Sequence, residues 1–261
     1  MLSPWNNAIG QDTGTQSAGV SALMDEVVVT ARKREETLQE APIAISAFSG
    51  ESLEVRGITS IDEIGLITPN MNYQSNPQAG GSSSVATVYI RGIGQRDFLG
   101  TIDNGVGFYI DDVIIARTIG SIVDLVDVER IEVLRGPQGT LYGRNTIAGA
   151  IKITSRNRGE PGGKISVSAG NEGYKKIKAY VDFNISDMSG MSIAGLAEES
   201  DGFVDAGEFG KQGGKDVTAF RVAYDQAFDN GWNLKMSFDM AKDDSDPVPA
   251  TLRGTYTTPP N

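Results

Sequence analysis

Val128-Glu129-Arg130-Ile131-Glu132-Val133-Leu134-Arg135-Gly136-Pro137-Gln138-Gly139-Thr140-Leu141-Tyr142-Gly143 is the stretch on which the reading of the fold turns. Its first half sets Ile131 and Val133 against Arg130 and Glu132, which predicts a strand over Arg130 to Leu134. Its second half carries glycine at 136, 139 and 143 and predicts a corner at which two strands pack closely. A further strand is predicted over Ala150 to Thr154. The glycines invite a phosphate-loop reading. That loop needs Lys and then a hydroxyl residue after its last glycine, so that the amine reaches phosphate and the hydroxyl holds Mg²⁺. Arg144 and Asn145 stand there instead, and nucleotide binding is set aside.

Outward from the corner, Val85 to Ile90 and Val106 to Ile110 read as strands. Ser60-Ile61-Asp62-Glu63 is a capping box that opens a short helix to about Ile67, stopped by Pro69. Gly50 to Arg56 reads as a second short helix. Together these segments predict a compact α+β domain of about 130 residues.

A composition shift follows near Arg158. Residues 1–160 carry 13 basic groups, 11 of them Arg, whereas residues 161–261 carry 10, of which 8 are Lys. Arg suits packed interiors and Lys prefers water, so the environment changes at the glycine-rich linker 159–163. Beyond it the pattern has period two. Ile165, Val167 and Ala169 alternate with polar residues, as do Ile177, Ala179, Val181 and Phe183. Phe220, Val222 and Tyr224 follow suit, and Trp232, Leu234, Met236, Phe238 and Met240 form the cleanest run. Met191 to Glu198 alternates poorly. Five strands with one apolar and one polar face are predicted, joined alternately by short turns and a long glycine-rich connection, Asp201 to Lys215. Such a meander fits an outer-membrane barrel or the edge of a soluble sandwich.

Composition narrows the chemistry. The 261 residues include no Cys and no His, and the formal charge is −11. Disulfides, zinc–thiolate sites, imidazole bases and Ser-His-Asp triads are therefore excluded. An acidic chain gains nothing from a phosphate backbone, so nucleic acid is not an expected partner. No cofactor is implied. The longest apolar run, Val113 to Ala116, is far short of the roughly 20 residues of a membrane helix, while a barrel stays open. Asp243, Asp244 and Asp246 miss the EF-hand spacing and read as a solvated loop. Residues 1–23 form a loose polar tail without the basic start and apolar core of a secretory signal. Asp25-Glu26-Val27-Val28-Val29-Thr30-Ala31 is β-rich. By composition it reads first as a core strand, and second as a strand able to add itself to a partner's sheet.

Four segments now carry a resemblance to the N-terminal portion of a TonB-dependent outer-membrane receptor. Asp25 to Ala31 resembles the TonB box. Ala41-Pro42-Ile43-Ala44-Ile45-Ser46-Ala47-Phe48 is similar to the opening of the plug domain. Tyr89-Ile90-Arg91-Gly92 with Phe108-Tyr109-Ile110-Asp111-Asp112-Val113 is similar to the plug's central strands. Val128 to Gly143, continuing through Ala148-Gly149-Ala150-Ile151, is the most specific match.

The resemblance implies an α+β plug over residues 24–158, box included, followed by antiparallel strands of an incomplete transmembrane β-barrel over 164–261. It implies active transport of a scarce ligand across the outer membrane, most often a ferric siderophore, with no enzymatic step. The expected partners are a TonB-type periplasmic energy-coupling protein that binds Asp25, Glu26, Val27, Val28, Val29, Thr30 and Ala31, outer-membrane lipid, and the small-molecule ligand. The plug signature comprises Arg91, Gly92, Arg130, Glu132, Arg135, Gly136, Tyr142 and Gly143. Pro137 is expected to bias Gly136 toward extended backbone, and Arg135 to latch the plug onto acidic groups of the barrel wall. The loops Gln74 to Ser84 and Gly94 to Asn104, with Gln95, Arg96 and Asp97, are the expected ligand contacts. Plugged transporters have about 22 strands against five here, so the chain is expected to be a fragment or truncated product. Two other readings stand beside this one: a soluble or surface β-rich binding module, and an enzyme with a carboxylate pair.

Overall fold

A computed structural model describes residues 28–34, 36–58, 60–75, 86–95, 103–115, 128–156, 161–205, 207 and 210–246. The described residues open with a two-residue strand β1 (Val28–Val29), antiparallel to β2 (Glu36–Thr37). Next come β3 (Ile45–Ser49) and helix α1 (Gly50–Val55), which Ser49 caps by accepting the Ser52 N–H at 3.1 Å. A 3₁₀ turn over Ile61–Glu63 leads into α2 (Ile64–Ile67). The predicted capping box forms there, with the Ser60 N–H donating to the Glu63 carboxylate at 3.2 Å.

A three-stranded antiparallel sheet follows: β4 (Met71–Ser75), β5 (Ala86–Ile90) and β6 (Ile93–Gln95). The central sheet contains β7 (Val106–Ile110), β8 (Val113–Ile115), β9 (Val128–Arg135) and β10 (Gly149–Ser155), with the one-turn helix α3 (Gly139–Tyr142) at the glycine corner. Its order is β3-β9-β10-β7-β8. Only the β10–β7 pair is parallel.

Both faces of this sheet are covered, which is why Ile131 to Leu134 are buried without alternation. Ile131, Val133, Ile151 and Ile153 face the main core with Phe108, Ile90, Leu53, Ile61 and Ile64. Leu134 and Ala150 face the other way, against Tyr109, Tyr142 and Ala31. The tight links β5–β6 and β7–β8 are two-residue hairpins. Arg91 and Gly92 take φ of 53° and 78°, and Asp111 and Asp112 take 48° and 66°, the sign pattern of a type I′ turn.

The second region is an antiparallel meander of β11 (Gly162–Ala169), β12 (Lys175–Ser186), β13 (Ser189–Ser200), β16 (Lys215–Ala227) and β17 (Asn233–Asp243). The long connection holds a small hairpin, β14 (Val204–Asp205) with β15 (Lys211–Gln212). All five expected strands are present. Gly162 and Gly163, assigned above to the linker, already belong to β11, where they pair with Asp182 and Val181.

The meander is inverted relative to a soluble sandwich. Its apolar face is the exposed one: Ile165 is 71% exposed, Trp232 73%, Met236 60% and Phe238 62%. Its polar face is the covered one, with Lys176, Asp182, Glu198 and Arg221 buried. A sandwich buries the apolar side of each sheet. A membrane barrel turns that side to lipid and its polar side to the lumen. Met191 to Glu198 alternates poorly because its inner face carries Ala194 and Leu196, which pack with Tyr180, Val217 and Ala219. No helix among the described residues is long and apolar enough to cross a membrane.

This inversion sets an outcome for the two halves expressed apart. Residues 24–158 are expected to be soluble and folded, and residues 163–242 to need detergent. Solubility and circular dichroism of the two pieces check it. A soluble, monomeric, β-structured 163–242 without detergent would restore the sandwich.

Candidate functional site

Strand periodicity puts Arg130, Glu132 and Leu134 of β9 on one face of the central sheet, beside Ala150 and Lys152 of β10. Residues 28–31 lie on that face. Val29 and Ala31 have no exposed surface. The Thr30 N–H donates to Glu132 Oε1 at 2.8 Å, and the Thr30 hydroxyl accepts from Lys152 Nζ at 2.9 Å. Arg130 Nε donates to the same Glu132 oxygen at 2.7 Å. The Tyr142 hydroxyl donates to the Ala31 carbonyl at 2.7 Å, while the Tyr142 carbonyl accepts from the Tyr109 hydroxyl at 2.6 Å. Burial raises the pKa of Tyr142 well above that of an ordinary phenol, and the neighbouring Glu132 charge adds to it. Burial also raises Tyr109. The segment thus sits in a socket of buried polar groups on a rigid sheet.

Beside the socket lies a cavity of about 570 Å³, lined by Thr30, Asp112, Arg130 and Lys152 and, from the meander, Lys235. The Asp111–Asp112 turn stands between socket and strands. Asp112 pairs with Lys152 at 3.0 Å. Asp111 accepts the Ser155 N–H at 2.9 Å and pairs with Arg221 of β16 at 2.5 Å. Arg221 also reaches the Ser155 hydroxyl and Asp239, each at 2.5 Å. Glu54 pairs with Lys164 of β11, and the Arg156 guanidinium lies 4.7 Å from the Tyr180 ring centroid.

The signature residues separate into two places. Arg130, Glu132 and Tyr142 build the socket. Arg91, Gly92, Arg135 and Gly136 gather at the corner where β9 ends. Gly136 does not take the extended backbone expected from Pro137. Its φ is +108°, a region that L side chains rarely adopt, and a Cβ there would stand 3.2 Å from Arg91 Nη1. Gly143, which ends α3, has φ 81° and ψ −153°, again a backbone for glycine. Arg135 does not meet an acidic wall group among the described residues. Its Nη1 lies 3.4 Å from the Pro69 carbonyl, within the same region.

Among the described residues a polar contact with the meander is made by Asp111, Ser155 and Arg221, none of which stood among the expected site residues. Each left a signal. Asp111-Asp112 lies between two apolar runs at hairpin spacing. Lys152 is one of two lysines among the first 160 residues and interrupts an apolar strand. Arg221 is one of two arginines after residue 160.

The two expected ligand loops leave the same end of the β4–β6 sheet, because Ser75 is opposite Ala86 and Gln95 opposite Val88. Arg96 and Asp97, like Asp25, Glu26 and Val27 of the box, lie outside the described residues. In the acidic run, Asp243 accepts the Ser245 N–H at 3.0 Å and Asp244 pairs with Lys242.

Residues 37–150 match the TonB-dependent receptor plug domain family. The chain carries a TonB-dependent receptor plug. The match spans the signature residues and the central sheet up to the start of β10, and begins after the 25–31 segment. The chain is 30% identical over 212 residues to the vitamin B12 transporter of Vibrio vulnificus, an overlap of 79% of the chain and 33% of that protein. The ferric yersiniabactin uptake receptor of Yersinia pestis superposes with a TM-score of 0.67 at 24% identity, over 77% of the chain and 32% of the receptor. The pyoverdine outer-membrane receptor of Pseudomonas aeruginosa gives 0.68 at 16% identity, over 83% and 30%. The chain therefore spans about a third of the length of each. These relatives are receptors or transporters. The inverted meander beside the plug has the fold of receptor barrel strands.

The socket makes the plug's stability depend on alkaline pH. Unfolded Tyr142 ionises near the ordinary value of 10.0, while the folded phenol stays protonated. Stability is then full below about pH 10 and falls as pH rises further, since the unfolded state has lost a proton that the folded state keeps. Denaturant titrations from pH 8 to pH 11 are expected to show this fall, with a smaller slope in Tyr142→Phe. Equal slopes would remove Tyr142 as its source. A second outcome concerns the wall. Arg221→Ala leaves the part-exposed Asp111 without its cation but with its Ser155 donors, an expected cost of about 1–3 kcal/mol. The readout is faster proteolysis of the plug in outer membranes.

Proposed function

We propose that the protein is an energised transporter of a scarce small ligand across the bacterial outer membrane. A TonB-type periplasmic coupling protein engages residues 25–31 by strand addition. The observation that carries this reading is the placement of Val28–Ala31: a strand-forming segment lodged on the plug's central sheet by three side chains, Glu132, Lys152 and Tyr142, one turn away from the plug's contact with the strands beside it. Strand addition draws on main-chain hydrogen bonds, and a segment already extended at Val28–Val29 is prepared for it.

The ligand is proposed to be a metal chelate, with a ferric siderophore first and vitamin B12 as its competitor. Similarity to a ferric yersiniabactin receptor, a pyoverdine receptor and a B12 transporter supports that class. Contact is assigned to the segments 74–84 and 94–104, with Gln95, Arg96 and Asp97; Gln74, Gly94 and Gln95 belong to strands rather than loops, and β4 and β6 end at one end of a single sheet. Binding and release need no acid, base or nucleophile, in keeping with a chain that has neither His nor Cys.

Two measurements test the reading. Cells expressing the protein are expected to accumulate labelled ferric siderophore only while the proton gradient is maintained. Uptake of labelled B12 in its place would reassign the ligand and leave the mechanism standing. Val29→Pro removes a backbone donor and fixes φ. It is expected to abolish uptake and leave ligand binding nearly unchanged. Unimpaired energised uptake by that variant would sink the coupling role of the segment.

A further inference from the structure

Thr30 separates two charges that face one another. Glu132 and Lys152 are directly opposite in the β9–β10 register, and opposite charges so placed ordinarily pair. Here Glu132 Oε1 accepts from the Thr30 N–H, from the Thr30 hydroxyl at 3.3 Å and from Arg130, while Lys152 Nζ turns to the Thr30 hydroxyl, which Arg130 Nη2 also approaches at 3.4 Å, and to Asp112. Glu132 has no exposed surface, and its second oxygen, Oε2, has no hydrogen-bond partner among the described residues. Glu132 is already ion-paired with Arg130 through Oε1, at 2.7 Å, so its idle Oε2, beside a buried ammonium, is room for a second cation.

The segment is also closed on itself. Val28 and Val29 pair with Thr37 and Glu36, the Lys33 N–H donates to the Thr30 carbonyl at 2.8 Å, and Arg32 holds Glu36 at 2.7 Å. A partner strand must therefore compete with the chain's own residues 36–37 and with Glu132.

We propose that withdrawal of the segment is a charge exchange. As Thr30 leaves, Lys152 swings from the Thr30 hydroxyl and Asp112 to the idle oxygen of Glu132, and the new pair closes the socket. No buried charge is stranded, and Asp112, whose side chain is 62% exposed, is left to water. Lys152 is a positioning residue. It holds the segment through one hydrogen bond and makes departure possible through the ion pair that replaces it. The proposal rests on the reading of residues 25–31 as the partner-binding strand, but its test needs neither partner nor uptake.

The chain has no cysteine, so Val29→Cys gives a single probe at a buried position. Its maleimide labelling rate in outer-membrane vesicles reports withdrawal. Two further substitutions in that background share the loss of the Lys152–Thr30 hydrogen bond, Thr30→Val also losing the weaker hydroxyl contacts to Glu132 and Arg130. Thr30→Val removes the hydroxyl and affects only the docked state; labelling is expected to rise about tenfold. Lys152→Met removes the closing pair as well, and labelling is expected to fall several-fold below that of Val29→Cys alone, with Lys152→Arg restoring it. A simple clamp predicts faster labelling for both. Equal direction for Thr30→Val and Lys152→Met overturns the exchange, and so does an unchanged rate in Lys152→Met. Energised uptake by the unsubstituted protein is measured separately. Its failure would strike the transport reading and leave the labelling result in force.

Discussion

A carboxylate with no exposed surface must be supplied with donors, and Glu132 takes one of its donors from outside the sheet that carries it. This requirement organises the plug. Strand β9 lies between two apolar layers, one built on Phe108 and Ile151 and the other on Leu134, Ala150 and Tyr142. The second layer is incomplete without Ala31, and Glu132 would lose its 2.8 Å backbone donor without Thr30. Hydrophobic burial at 29 and 31 and charge satisfaction at 30 thus act on alternate residues of one extended segment, as period-two backbone requires. Removing either kind of contact leaves the other in place, so the segment is held firmly without being locked.

The Asp111–Asp112 turn shows where backbone strain is tolerated. Two consecutive non-glycine residues at positive φ are uncommon, although Asp is among the types that accept it. Such conformations persist where the surroundings over-determine them. Here Ser155 and Arg221 fix the first carboxylate and Lys152 fixes the second. One two-residue turn therefore touches the barrel-type strands through one side chain and the socket through the next.

How much of this was legible in the sequence depended on the range of the interaction. Local signals were read correctly. The Ser60–Glu63 capping box, the strand Val106–Ile110 and the five alternating strands all formed, because each is set by near neighbours. Alternation alone could not say which face of the meander is outside, since lipid and a protein core select the same residues. The contacts at Asp111–Arg221 and Thr30–Glu132 join residues about a hundred positions apart, and no spacing rule reaches that far. Arg135 shows the same dependence on range. Its guanidinium at a fixed corner was a sound candidate for a long-range pair, but the nearby Pro69 carbonyl accepts it. Gly136 was recognised as a site that tolerates no side chain, yet the cause is its positive φ rather than the extended bias of Pro137.

The geometry also orders the events that a pull on residue 28 would produce. The first load falls on the β1–β2 ladder, which is only two residues long. The next falls on Thr30, whose bonds run to Glu132 and Lys152 in the middle of β9 and β10. Those strands are anchored on both sides by full-length ladders, to β3 and to β7. Separating them means breaking many main-chain hydrogen bonds at once, whereas freeing Thr30 breaks a few side-chain bonds one after another. Because yielding at the socket is sequential and yielding of the sheet is cooperative, the segment leaves before the sheet deforms. Among the described residues the socket meets the barrel-type strands at one place, where the Asp111–Asp112 turn and the end of β10 at Ser155 converge on Arg221, and a load released at the socket would reach those strands there.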